Sequence, residues 1–284
     1  MCTAVLALAA CTPDSSPTPT ATITLETHTT VTATPSPSAS ATAELVPNPY
    51  ARPDWLGTQA LPLRKNGLAK PGPTPPELQN RQLEPRPSAL PDPADDAWFV
   101  TITDVPQEVL ERSSWHKDCP VTPSELAYVV MPYWGFDNAP HTGEMLINAQ
   151  WAAKVATVFE YMYAHRFPIE EMRVTTADEV NGDHFGDQNV TISFECRRTT
   201  GGYATWSEHA RGLAIDINPF LNPWYRDTNV FPELATAYTD RTWLRPGMIE
   251  TQKAIVNRFA KIGWAWGGNW GTFKDWMHFS PSNN

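Results

Sequence analysis

Two short segments far apart in the chain restrict its fold most: WSEHARGLAIDIN, Trp206 to Asn218, and DWMHF, Asp275 to Phe279. Between them they hold two imidazoles, His209 and His278, and two carboxylates, Asp216 and Asp275. Three nitrogen or carboxylate donors around one open position form the donor set of a reactive zinc ion, and a fourth, non-ligating carboxylate can carry protons. Any fold that uses this set has to bring the two segments together. His209 falls on the loop entering LAIDIN and Asp216 within it, so Gly212 is the hinge at which the loop folds back. His278, three residues after Asp275, comes from a terminal strand.

Composition bounds where such a fold can lie. The 284 residues contain 28 prolines, spread unevenly, so one large domain is the expected count. Twelve tryptophans, all but Trp55 after Ala97, supply apolar material for its core. The net charge of -10 and the absence of a basic stripe argue against a nucleic-acid partner. Residues 1–11, MCTAVLALAAC, are too short an apolar run to span a bilayer, and they resemble a bacterial lipoprotein signal with Cys11 as the lipidated residue. No Lys or Arg precedes Arg52, so the positive flank of such signals is missing. Residues 12–46, rich in Thr, Ser, Pro and Ala, read as a disordered stalk that would hold a domain outside the cytoplasm, anchored to the membrane by lipid alone and facing the cell wall. Residues 47–96 read as a Pro-rich collar that Tyr50 and Trp55 could pin onto the domain behind it, with a disordered linker as the alternative, and residues 97–284 as the folded domain. With Cys2 removed and Cys11 lipidated, Cys119 and Cys196 remain, and an oxidising compartment suggests one bridge; two unpaired buried thiols are the alternative.

The periodicities predict an α+β domain. WFVTIT (98–103), MRVTTA (172–177) and LAIDIN (213–218) read as strands. Ile147, Trp151, Val155, Val158, Phe159 and Met162 recur at helical steps and predict a helix over 147–166. A second helix is expected after Pro246 and Gly247, stopped by Gly263. His116, His141, His165 and His184 lack ligand spacing and read as structural or solvated. Trp264, Trp266, Trp270 and Trp276 could line a groove, with core packing expected for at least half of them.

Ser207-Glu208-His209, then Gly212, Ala214 and Asp216, and finally Asp275-Trp276-Met277-His278 resemble the signature of the LAS metallopeptidases, the group of lysostaphin, D-alanyl-D-alanine carboxypeptidases and hedgehog domains. The chain is most similar to the D-alanyl-D-alanine carboxypeptidase branch, roughly from Trp115 to Ser280, including FECR (194–197), INPFLNPW (217–224), PGMI (246–249) and WGGNW (266–270). Arg211 and Asn269 depart from the usual pattern, and neither is a ligand position. The resemblance implies a small antiparallel sheet that carries a zinc site and is flanked by helices. It makes His209, Asp216 and His278 the zinc ligands, Asp275 the general base, Arg197 the cation for the substrate carbonyl and Ser207 a substrate contact. It further implies a monomeric zinc peptidase acting on peptidoglycan stem peptides as a D-alanyl-D-alanine carboxypeptidase. An L,D-type endopeptidase and a non-catalytic, zinc-containing peptidoglycan-binding module are the alternatives; a structural zinc site has no need of Asp275 or Arg197.

Overall fold

The computed structural model describes residues 48–65, 68–199 and 204–283. The expected signal segment with Cys11 and the stalk of residues 12–46 lie outside them. The described chain is α+β. In order it forms β1 (Thr101–Thr103), α1 (Gln107–Arg112), β2 (Leu126–Trp134), β3 (Pro140–Asn148), α2 (Ala152–Ala164), β4 (Glu171–Met172), α3 (Ala177–Asn181), β5 (Val190–Thr191), β6 (Ile215–Asp216), β7 (Trp224–Arg226), β8 (Asn229–Phe231), α4 (Lys253–Lys261), β9 (Ala265–Trp266), β10 (Lys274–Asp275) and β11 (His278–Ser280). Three small antiparallel sheets, ordered β1-β2-β3, β6-β11-β9 and β10-β7-β8, accompany a parallel β4-β5 pair.

The longest strands, β2 and β3, pair from Leu126↔Asn148 to Trp134↔Pro140 and build one wall of the main core. Met131, Met145 and Ile147 of this hairpin meet Val155, Val158, Phe159 and Met162 of α2, Ile255 and Phe259 of α4, and Ile215 and Phe279 of the β6-β11 pair. The helix expected over 147–166 therefore starts later, because Ile147 belongs to β3 and the helix begins at Ala152. Just past its end at Ala164, Arg166 turns the chain at φ +49. Phe167 N–H donates to Met162 O at 3.0 Å and Arg166 N–H to Tyr163 O at 2.9 Å, which uses carbonyls the helix leaves unpaired. Gly263, at φ +91, closes α4 the same way, as Trp264 N–H reaches Phe259 O at 2.9 Å. The strands expected at 98–103, 172–177 and 213–218 shrink to β1, the end of β4 and β6.

The folded body reaches back well before Ala97, contrary to the boundary read from composition. Tyr50 and Trp55 pack against a second core formed by Leu78, Leu83, Phe220, Leu221, Tyr238 and Met248. Leu78 is fully buried, which stabilises the attachment by about 2 kcal/mol. Prolines keep residues 68–96 extended with little regular structure, so side chains do the fastening. The main fastener is Arg81, 2% exposed, whose Nε and Nη2 donate to the two oxygens of Glu170 at 2.7 Å each. Its Nη1 donates to Asp187 O at 2.8 Å, and its guanidinium lies 4.5 Å from the centre of the Phe220 ring. Asn189 Nδ2 and Arg52 Nη1 also donate to Glu170, at 2.7 and 2.9 Å. Burial alone would raise the Glu170 pKa, but Arg81 outweighs it and holds the group below the ordinary carboxylate range.

Two outcomes follow for chemical denaturation. Arg81→Ala leaves Glu170 buried without its main partner and should cost about 3–5 kcal/mol. A chain starting at Ala97 should lose cooperative unfolding, whereas one starting at Val46 should keep it. Equal stability of the two truncated chains would show that the collar is dispensable.

Candidate metal centre

The centre is built from two chain reversals. In the first, Ser207 ends an extended stretch and its Oγ accepts from His209 N–H at 3.3 Å, capping the 3-10 turn Glu208–Arg211. Gly212 follows at φ +62, where a side chain would be strained. A Cβ there would also come within 2.5 Å of Asn148 N, so the glycine lets the turn press against β3. The chain then enters β6, which delivers Asp216. In the second reversal, Gly267 of WGGNW packs so tightly behind Asp275 that a Cβ would lie 2.6 Å from the Asp275 carbonyl oxygen. The chain leaves β10 and enters β11 at His278.

The β6-β11 register sets His278 directly opposite Asp216 and Phe279 opposite Ile215. Residues paired this way share a face of the sheet, so the Phe279 and Ile215 side chains go to the core and the ligand pair goes to the other side. His209, Asp216 and His278 are 2%, 7% and 7% exposed, and their donor atoms all lie within 4.8 Å of one another. His209 Nε2 is 3.2 Å from Asp216 Oδ2, and His278 Nδ1 is 3.1 Å from Asp216 Oδ1. On the far side of its ring, His209 Nδ1 donates to Ser193 O at 2.7 Å, which fixes the tautomer and leaves the Nε2 lone pair facing inward. This oriented imidazole, a second imidazole and a carboxylate fit a divalent metal ion of the zinc type.

Burial works against the charge of Asp216, yet His209 and His278 outweigh it and hold the carboxyl well below its usual range. Burial likewise opposes protonation of His209, and the Asp216 charge more than offsets it, raising the imidazole pKa. Asp275 goes the other way. Burial, reinforced by the Asp216 charge, pushes its carboxyl up to about 7 against the pull of His278 and Arg197. Its Oδ1 is buried with no hydrogen-bond partner among the described residues, in keeping with a group held for a task rather than for stability.

Arg197 is placed by the residues just before it. Glu195 N–H donates to His209 O at 3.2 Å, and the Glu195 carboxylate accepts from Arg197 Nε at 2.8 Å. The Arg197 side chain, 28% exposed, also feels the charges of Asp216 and Asp275. Between Glu195 and Arg197, Cys196 is disulfide-bonded to Cys119 with Cα atoms 5.8 Å apart. Ser193 and Glu195 therefore orient the site, a role that reading FECR as a motif had not assigned. The Glu-x-Arg spacing was the available signal, since alternate residues of an extended segment share a face.

Other candidates fall elsewhere. Ser207, 7% exposed, spends its hydroxyl on the turn that presents His209. His116 sits 3.4 Å from Cys196 Sγ, His141 lies between Asp92 and Asp137, and His165 bonds Tyr161 O. His184 pairs with the buried Glu233 at 2.6 Å. Trp264 and Trp276 are buried, while Trp266 is half-buried against the core and Trp270 lies beside the His278 ring at 5.6 Å. A cleft of about 750 Å³ runs alongside, with Asp216, Arg197, Arg173, Arg86, His184 and Leu56 among its lining residues.

A carboxyl whose pKa is higher in the folded than in the unfolded chain contributes its stability below the unfolded pKa and loses it as pH rises through the folded one. With Asp275 at about 7 when folded, the metal-free protein should melt lower at pH 8 than at pH 5. Asp275→Asn should shrink that difference in thermal melts; an unchanged difference would place the effect on another group.

Comparison with curated proteins and with solved structures returns no match. Residues 200–281, which contain His209, Asp216, Asp275 and His278, match the family model described as D-alanyl-D-alanine carboxypeptidase, the family that the motifs resemble.

Proposed function

We propose that the chain is a zinc-dependent peptidase that trims peptidoglycan stem peptides, releasing a terminal D-alanine as a D-alanyl-D-alanine carboxypeptidase. The observation that carries this reading is Asp275. It is a buried carboxyl with an unpartnered oxygen and a pKa near 7, three residues before His278 in the chain. His209, Asp216 and His278 would hold the ion, and zinc when bound supplies Lewis-acid polarisation of the scissile carbonyl and acidification of water.

The protein's own groups do the rest. Asp275 Oδ1 accepts the proton of the attacking water and returns it to the leaving amine, and a pKa near 7 suits both transfers. Arg197, always charged and steadied by Glu195, offers its guanidinium to the negative charge that develops on the carbonyl oxygen.

The decisive experiment gives the zinc-loaded chain, and two variants, purified muropeptides and follows the products by mass spectrometry. Asp275→Ala should lower turnover by about 10²–10⁴-fold while keeping the metal. His209→Ala should lose the metal, as read by elemental analysis. Release of one terminal D-alanine by the intact chain identifies a carboxypeptidase, and an internal cut an endopeptidase. No product from the intact zinc-loaded chain would favour a binding module instead.

A further inference from the structure

Glu171, 4% exposed at its side chain, is ringed by guanidiniums away from the metal centre. Arg86 Nε donates to both of its oxygens at 3.0 and 3.1 Å, Arg173 Nε lies 3.1 Å from Oε2, and Arg52 Nη1 lies 3.1 Å from Oε1. Arg173 spends its terminal nitrogens on Glu179, and Arg52 is shared with Glu170. Arg86 differs. Its side chain is 51% exposed, and its two terminal nitrogens make no hydrogen bond among the described residues. In this patch the four guanidiniums of Arg52, Arg81, Arg86 and Arg173 share the three carboxylates of Glu170, Glu171 and Glu179.

The register of the strands ties this patch to the metal centre. Glu171 pairs with Val190, Met172 with Thr191, and Ile192 with Asp216. Paired residues share a face, and neighbours along a strand alternate. Met172 and Thr191 are buried, whereas Glu171, Arg173, Val190, Ile192 and Asp216 all line the cleft. Continued by one residue, the β4-β5 register would set Arg173 beside Ile192. The Arg173 position of the patch thus stands two strand spacings, about 10 Å, from Asp216 on the same cleft face, and Glu171, which holds Arg86, lies two residues further back along the strand. An extended peptide covers that distance in about three residues.

We propose that Arg86, backed by Arg173, is a subsite for a carboxylate on a peptide substrate, three residues to the amino-terminal side of the bond that is cut. The assignment rests on the peptidase reading, because a cut that releases one terminal residue leaves only the amino-terminal side long enough to reach the patch. The free edge of the Arg86 guanidinium offers two parallel donors, the geometry that suits a carboxylate. Asp178 and Asp183 also line the cleft, so the preference for an anion is local to Arg86 rather than a property of the whole cleft.

The test uses acetylated pentapeptides ending in D-Ala-D-Ala that differ only in Glu or Gln at the second position. With the full zinc-loaded chain, kcat/KM should favour the Glu peptide about tenfold, through KM, and the ratio should shrink with added salt. Arg86→Ala should bring the ratio to about one, and Arg86→Lys should retain part of it. Equal cleavage of both peptides by the intact chain, or an unchanged ratio in Arg86→Ala, would overturn the subsite. Failure of the intact chain to cut either peptide would count against the peptidase reading itself. Calorimetric binding then decides the subsite separately: tighter binding of the Glu peptide that is lost in Arg86→Ala supports it, and equal binding of the two peptides rejects it.

Discussion

The pairing of β6 with β11 is the constraint on which the site depends. Two strands of two and three residues are marginal on their own, and they hold because Ile215 and Phe279 are driven into the main core. The same pairing sets Asp216 across from His278 on the opposite face. A slip of one residue would exchange the faces, burying the donors and exposing Phe279. The apolar residues thereby specify the position of the polar ones. The Gly212 turn, closed against β3, and the Ser193 carbonyl then bring His209 to the pair that the register has already fixed.

Much of the site was legible in sequence because its members lie in two compact motifs whose residue types are limited by ligand chemistry. His209, Asp216 and His278 converge as their spacing suggested, with Asp275 beside them in the chain. The supports of the site were less legible. Ser193 acts through its backbone carbonyl, which no side-chain pattern records, and Glu195 acts on a neighbour two residues away. Among the elements, the β2-β3 hairpin gave little signal because β2 is buried on both faces and shows no alternation. The collar was legible in part, through Tyr50 and Trp55, but its buried fasteners were not. Frequent proline marks extended backbone, and extended backbone belongs equally to a free linker and to a strap fastened by Leu78 and Arg81.

The two carboxylates near the centre show how surroundings rather than residue type decide a role. Asp216 is clasped by two imidazoles and keeps its charge, while Asp275, with one oxygen buried and no equal partner, is pushed towards neutrality. Groups of one kind driven apart in this way suit different tasks, one as a fixed anion and the other as a group able to exchange a proton near neutrality. Arg197, paired with Glu195, also lies within reach of the charges of both carboxylates.

The order of the strands has a consequence for biogenesis. β11 lies in the middle of its sheet, between β6 and β9, yet it is made after both of them. During synthesis His209 and Asp216 are therefore complete as a half-site long before His278 emerges, and a two-donor half-site holds a divalent ion poorly. Capture of an ion by the trio would have to wait for the last strand to dock, which would tie ion loading to completion of the sheet.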